Sequence, residues 1–344
     1  MELSSIKQGP RVAVLMLSWL RFELLLDSLR QIPSTCSSPL HLILRVQGSE
    51  RLDETSRNMV RKAAENFYST DIYFTRDNVG TAAARLDLIH RGAAQGYEYL
   101  MFTDDDIYFD PGGIDHQIQV LDAYPEVGSV SLRPRGIRKV QVVSEGDVLL
   151  TSYNNVESSL CEVYLVGSAS LMFRSKFYTE HLIAPDSAYY IGTWDWDFVL
   201  QIRQLGYKVT VITSRSIINR RGGSHEYRRK RRNSKYVKEN RQLFIRKWGF
   251  DPLIGRKASA EFVKPVSISD KLNTNLIKQD YKNSNMPEAI INNNRSKIIN
   301  EVEEQNAYRS KNEQLVKSPL RPRISGNDWR SRIARQRIME QANA

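Results

Sequence analysis

The stretch Tyr97-Glu-Tyr-Leu-Met-Phe-Thr-Asp-Asp-Asp-Ile-Tyr-Phe-Asp-Pro-Gly-Gly113 decides the reading of this chain. Tyr99, Leu100, Met101 and Phe102 form a short apolar run that reads as a buried strand. The run ends in three consecutive carboxylates, Asp104, Asp105 and Asp106, and Pro-Gly-Gly closes the segment as a turn. Three like charges at a strand end repel one another, and each is costly to desolvate alone. A divalent cation arriving with phosphate oxygens resolves the conflict, because Mg²⁺ and Mn²⁺ take one or two carboxylates plus substrate phosphates. A solvated acidic turn is the competing reading of the same residues.

Outward from this strand, apolar runs and helical periodicities alternate. Arg11 to Ser18 is apolar on both faces, as a central parallel strand should be. Arg21 to Gln31 follows with Phe22, Leu25, Leu26 and Leu29 at helical spacing. Leu40 to Val46 reads as a strand, Asp53 to Tyr68 as a helix and Asp71 to Thr75 as a short strand. The turn Asp77-Asn-Val-Gly80 leads into a helix from Thr81 to about Ala94. Beyond the aspartates, Asp115 to Ala123 and Asp195 to Leu205 read as helices, and Val127 to Leu132 and Lys208 to Ile212 as strands. Glu162 to Arg174 is apolar but broken by Gly167-Ser-Ala-Ser170, and Arg133 to Glu157 reads as irregular, with an apolar patch at Val140 to Val143. This rhythm predicts an α/β fold with a mostly parallel, doubly wound, Rossmann-like sheet flanked by helices. Ligands in such sheets sit beyond the carboxyl ends of the strands, where the aspartates fall. The expected organisation is a catalytic domain over residues 1–250. Residues 251–344, rich in Asn, Lys and Arg, follow as a helical or partly disordered extension.

Of the 344 residues, 41% are hydrophobic and 26% charged, which suits a globular protein. No apolar stretch approaches the ~18 residues of a membrane span, and Met1 to Pro10 holds no signal-peptide core. Cys36 and Cys161 lack metal-ligand spacing, so a cytoplasmic setting, or one peripheral to a membrane, is expected. The net charge of +11 is uneven: residues 220–247 carry twelve Lys or Arg against two Glu, leaving the preceding body mildly acidic. A local basic segment points to an anionic ligand or surface, whether nucleotide diphosphate, nucleic acid or anionic lipid.

Two further constellations could carry chemistry. In Gly192-Thr-Trp-Asp-Trp-Asp-Phe198, Asp195 and Asp197 interleave with aromatic residues at the start of a helix. Either could cap that helix, or act as a general base in a partly dry pocket that raises its pKa. His225 follows Gly-Gly and precedes a basic run. It reads either as a structural histidine or as a nitrogen ligand completing a Mn²⁺ site, with the run clamping a diphosphate. No Gly-x-Gly-x-x-Gly follows the first strand and no P-loop occurs, which counts against dinucleotide and Walker-type nucleotide binding.

In order, these pieces resemble the GT-A glycosyltransferases, most closely the family 2 type, over roughly residues 11 to 250. The matching pieces are the strand Val12 to Trp19, the turn Val46-Gln-Gly-Ser49 and Asn78-Val-Gly80 with Thr81 to Arg85. Asp104-Asp-Asp106, Trp194-Asp-Trp-Asp197, His225 and Lys247-Trp-Gly249 complete the series. The resemblance implies an inverting, metal-dependent transferase moving a sugar from a nucleotide-sugar, UDP-sugar favoured, to an acceptor hydroxyl. It places Ser18, Gln47, Asp77, Arg85, Asp104 and Asp105 around the donor, and Asp104, Asp106 and His225 at the divalent metal. Asp195 becomes the base, with Asp197 as the alternative because Trp194 stands where the family usually has Glu. The acceptor would be a glycan, a lipid-linked molecule or another hydroxyl compound. The competing expectations are a nucleic-acid or other polyanionic acceptor, and a non-catalytic nucleic-acid-binding protein on the same fold.

Overall fold

The computed structural model describes residues 10–250, apart from 136, 138, 145–146, 153–155, 157, 221, 223–224 and 232–233. The expected C-terminal extension, residues 251–344, lies outside the described residues.

The first half alternates as the apolar pattern predicts. Strand β1 (Val12–Trp19) leads to helix α1 (Phe22–Gln31), β2 (Leu40–Gln47) to α2 (Glu54–Ala63), and β3 (Ser69–Thr75) to α3 (Thr81–Ala94). Strand β4 (Tyr99–Asp104) then carries the chain to the aspartates. Val12 through Met16 and Leu100 through Phe102 are wholly buried, which explains their lack of polar alternation. Four parallel strands result, in the spatial order β3-β2-β1-β4, and Leu17 of β1 stands in register with Asp104 of β4.

After Asp106 come β5 (Ile107–Phe109), α4 (Gly113–Ala123) and β6 (Val127–Pro134). Next are β7 (Lys139–Ser144), β8 (Asp147–Ser152), β9 (Leu160–Glu162), β10 (Ser170–Arg174) and α5 (Lys176–His181). The described chain closes with α6 (Trp194–Gln204), β11 (Lys208–Asn219), α7 (His225–Arg231) and α8 (Ser234–Trp248). The main sheet has nine strands, its long path running β3-β2-β1-β4-β10-β6-β11-β5 with β9 on β11. Strand β10 is antiparallel to both β4 and β6, and β11 is parallel to β6. The carboxyl ends of β1, β2, β3, β4, β6 and β11 therefore share one edge of the sheet.

Three expectations change. Residues 133–157 were expected to be irregular, but β7 and β8 pair antiparallel, with Val142 and Val143 in register with Leu149 and Val148. Helix α2 stops at Ala63, short of Tyr68, with Asp53 accepting from the Ser56 amide as its N-cap. Strand β11 continues past Ile212 to Asn219 through a bulge.

Candidate active site

The carboxyl ends of β1, β2 and β4 form the floor of the site. At β2, Gln47 is 3% exposed, and its Oε1 accepts from the Val79 amide at 2.9 Å. Asn78 Oδ1 in turn accepts from the Gly80 amide at 2.9 Å. Gln47 thus fixes the loop before α3, on which Asp77 is exposed.

The three aspartates go three ways. Asp104 accepts from Arg85 Nη2 at 2.7 Å and keeps 28% of its side chain open. Asp105 is fully buried; it accepts from Ser18 Oγ at 2.5 Å and pairs with Arg21. Asp106, 2% exposed, receives Arg21 Nη1 at 2.5 Å. Burial is the chief cause that raises the Asp105 carboxyl above its usual range, opposed by Arg21 and the Ser18 hydroxyl. The like-charge conflict at the strand end is therefore met within the chain by two guanidinium groups.

Arg85, expected beside the nucleotide, is instead wholly buried. It donates to the carbonyls of Leu15 at 2.5 Å and Thr103 at 2.8 Å as well as to Asp104. Its place is beneath the site, where it ties β1 to β4 and orients the open carboxylate. Arg21 was missed by sequence reading. It sits 85 residues before Asp106 and belongs to no spacing motif.

Asp195 lies half-buried in the first turn of α6, where its Oδ2 accepts from the Ser168 amide at 3.3 Å. A Cβ at Gly167 would stand 3.6 Å from the same oxygen, so the small residues at 167–168 allow this approach. Burial pushes the Asp195 carboxyl up to about 6, and the negative charge of Asp104 adds to the rise. Trp194 packs edge-on against Phe102 at 5.2 Å, which explains an aromatic residue at this position.

Asp197 points the other way. It is fully buried and accepts from Trp248 Nε1 at 2.7 Å, Gln201 Nε2 at 2.8 Å and Lys247 Nζ at 3.0 Å. These contacts fasten α8 to α6. Of the two aspartates, Asp195 is the one that feels the charge of Asp104.

The backbone of His225 opens α7, but its side chain lies outside the described residues. The rest of that turn reaches the site. The Tyr227 ring lies 4.5 Å beneath the Arg21 guanidinium and 6.0 Å from the Trp19 ring, and Glu226 accepts from Arg51 at 2.7 Å. Part of the basic segment is engaged internally, since Arg220 donates to Asp27 and Tyr108 while Lys247 pairs with Asp197.

Among the described residues, no group of three or more His, Cys, Asp or Glu side chains could hold a metal ion. The open face of Asp104 suits an ion that brings its own phosphate ligands. Asp106 enters such a shell only by parting from Arg21.

The sheet with its flanking helices has the fold of the GT-A glycosyltransferases, as comparison with a solved structure shows. The mannosyltransferase PcManGT from Pyrobaculum calidifontis, solved with GDP-Man and Mn²⁺, matches with a TM-score of 0.51 at 17% identity. The match covers 72% of this chain and 67% of that one. S. aureus TarS 1-349 matches at 11% identity and a TM-score of 0.44, over 60% of this chain and 59% of that one. GalNAc-T7 with UDP, GalNAc and Mn²⁺ matches at 11% identity and a TM-score of 0.45, over 60% of this chain and 43% of that one. The chain thus spans less than two thirds of the length of these last two. The match to PcManGT is a likeness of fold. No protein-family model and no curated protein matches the sequence. No helix among the described residues is long and apolar enough to cross a membrane.

Proposed function

We propose that the chain is a nucleotide-sugar-dependent, inverting glycosyltransferase with Asp195 as its general base. The observation that carries this reading is the pairing of two unlike carboxylates at one sheet edge: Asp104 stays open and Asp195 is held near 6 by burial. A base poised close to the working pH removes a proton efficiently.

In the reaction, the acceptor hydroxyl oxygen attacks the anomeric carbon while Asp195 takes the hydroxyl proton. The bond from that carbon to the diphosphate oxygen breaks, and the nucleoside diphosphate leaves with the electron pair. Attack from the face opposite the leaving group inverts the configuration. The Ser168 amide holds Asp195 in place, and Arg85 aims Asp104. Asp104 would hold a divalent ion carried on the donor's diphosphate, whose chemistry is stabilisation of the charge developing on the leaving phosphate. The donor is a UDP- or GDP-sugar, GDP-Man being the ligand named with PcManGT.

The test is a panel of nucleoside diphosphates with Mn²⁺, read by thermal shift, followed by donor hydrolysis with Mn²⁺ and with EDTA. One diphosphate should stabilise the protein, its sugar ester should be hydrolysed, and Asp195→Asn should remove turnover while the diphosphate still binds. Binding of every diphosphate at the same weak level, with no hydrolysis, would refute the reading.

A further inference from the structure

Helix α8 carries one residue out of keeping with its neighbours. Tyr236, Asn240, Phe244 and Trp248 recur every four residues and so form one stripe along the helix. Phe244 is wholly buried, Trp248 is buried, and the Tyr236 ring stacks on Tyr190 at 4.5 Å. Asn240 is the polar member of the stripe, yet it is only 3% exposed. A buried amide is stable only where its groups find partners. Asn240 Nδ2 donates to the Ile191 carbonyl and, at 3.4 Å, to the Gly192 carbonyl.

Those two carbonyls lead into a strained piece of backbone. Gly192 has φ +71° and Thr193 has φ +67°. Leu20, Leu182 and Thr193 are the described residues other than glycine at positive φ, and Thr193 alone among them is β-branched. A β-branched residue at such an angle is a true outlier, and it persists only where its surroundings hold it. Trp194 and Asp195 come next in the chain.

The strained turn is held on both sides. Before it, the Tyr190 carbonyl accepts from the Thr81 amide at 2.7 Å while its ring rests on Tyr236. After it, the Thr193 carbonyl accepts from the Asp197 amide at 3.1 Å and closes the first turn of α6. Asp197 is itself fastened to α8 by the Trp248 indole. Asn240 and Trp248 stand eight residues apart, about 12 Å along the helix, so α8 grips the chain ahead of Asp195 and again behind it. Relaxation of Thr193 would rotate the chain between the two grips, where Asp195 lies. The Ser168 amide, 3.3 Å from Asp195 Oδ2, is too long a hydrogen bond to fix that carboxylate alone.

We propose that Asn240 is a positioning residue for the general base: its amide clamps the Ile191–Gly192 carbonyls, keeps Thr193 in its left-handed conformation and so aims Asp195. The role of Asp195 as base rests on the glycosyltransferase activity proposed above; the clamp itself does not.

Two measurements on the full chain test it. The first needs no substrate: urea unfolding of wild type, Asn240→Ala, Thr193→Gly and the double variant. Glycine adopts positive φ without strain, so Thr193→Gly gains relief only where the clamp still imposes the strain. Its change in unfolding free energy should be more favourable with Asn240 present than without it, and the comparison cancels the effect of glycine on the unfolded chain. Additive changes overturn the clamp. If Asn240→Ala does not fold, Asn240→Leu, which keeps bulk without a donor, takes its place.

The second measurement is donor turnover. In Asn240→Ala, kcat per folded molecule should fall about 10–100-fold while nucleoside diphosphate affinity by calorimetry stays unchanged. Adding Thr193→Gly should recover most of that loss, which a role confined to packing does not produce. Undiminished kcat in Asn240→Ala, or no recovery in the double variant, overturns the positioning role. A wild type that turns over no donor refutes the proposed activity and the role toward a base with it, while the urea cycle still decides the clamp.

Discussion

Arg21 holds Asp106 at 2.5 Å, and the Tyr227 ring closes over the guanidinium from α7 at 4.5 Å. Arg21 also pairs with Asp105, so one buried cation answers two buried carboxylates. Removing one partner of a buried pair strands the other charge, at a cost of about 3–5 kcal/mol. Arg21→Ala should lower unfolding free energy in urea by that amount. In the absence of nucleotide, the same substitution should tighten Mn²⁺ binding at least ~10-fold, because two carboxylates regain a need for a cation. If Mn²⁺ affinity is unchanged by calorimetry, Arg21 does not occupy the cation's place.

The raised carboxyl of Asp195 predicts opposite effects of pH on rate and stability. The group moves from its ordinary 3.8 to about 6 on folding. A folded pKa above the unfolded one gives stability that is fully present below pH 3.8 and lost as pH rises through about 6. At neutral pH, Asp195→Asn should therefore stabilise the protein, by about 2 kcal/mol after allowing for its partial exposure. Catalysis needs the ionised form, so kcat/KM should climb through an acid limb with an apparent pKa near 6. A limb near 4, or a destabilised Asp195→Asn at pH 7, counts against this assignment of the base.

The parts of the molecule that sequence reading reached are those set by local pattern. Val12 through Met16 are apolar on both faces because both faces are covered, and the run announces a central strand. Helix α3 begins at Thr81, directly after the turn Asp77-Asn-Val-Gly80, and runs to Ala94 as its sequence implies. The aspartates at the end of β4 were visible because three adjacent carboxylates need an explanation of their own. What escaped was pairing across long stretches of chain. Arg21 meets Asp106 over 85 residues, and Trp248 meets Asp197 over 51. A lone Arg or Trp carries no periodicity, so only folding reveals its partner. The interleaved Asp195 and Asp197 looked alike for the same reason. On the first turn of α6 one meets the Ser168 amide at the edge and the other turns inward to α8.

Asp197 should therefore behave as an anchor. Itself wholly buried, it gathers Trp248, Gln201 and Lys247. Asp197→Ala leaves the buried Trp248 indole N–H without its acceptor, while the solvent-reached Lys247 keeps Asp186, and should cost about 1–3 kcal/mol. Asp197→Asn keeps the shape, and its turnover per folded molecule should stay within about tenfold of wild type, a loss of under ~1.4 kcal/mol. Should Asp197→Asn abolish turnover without lowering Tm, the base is Asp197 and the proposed role of Asp195 fails.

The loop before α3 offers a matched pair of glycines. Gly80 has φ +89°, and a Cβ there would lie 2.7 Å from the Tyr190 carbonyl oxygen. The Thr81 amide donates to that oxygen at 2.7 Å, so the clash falls on the contact that seats the loop against the α5–α6 connection. Gly96, at φ +78°, has open space where its Cβ would go. Gly96→Ala should then cost only the left-handed strain, about 1–2 kcal/mol. Gly80→Ala adds backbone displacement to a conformation that L-residues avoid and should cost about 2–4 kcal/mol. The displacement also moves the loop that Gln47 fixes and that carries Asp77. Gly80→Ala should therefore weaken nucleoside diphosphate binding in calorimetry, whereas Gly96→Ala should not. Equal stability losses in the two variants, with diphosphate affinity unchanged in both, would show that the Tyr190 contact neither holds this loop nor shapes the donor pocket.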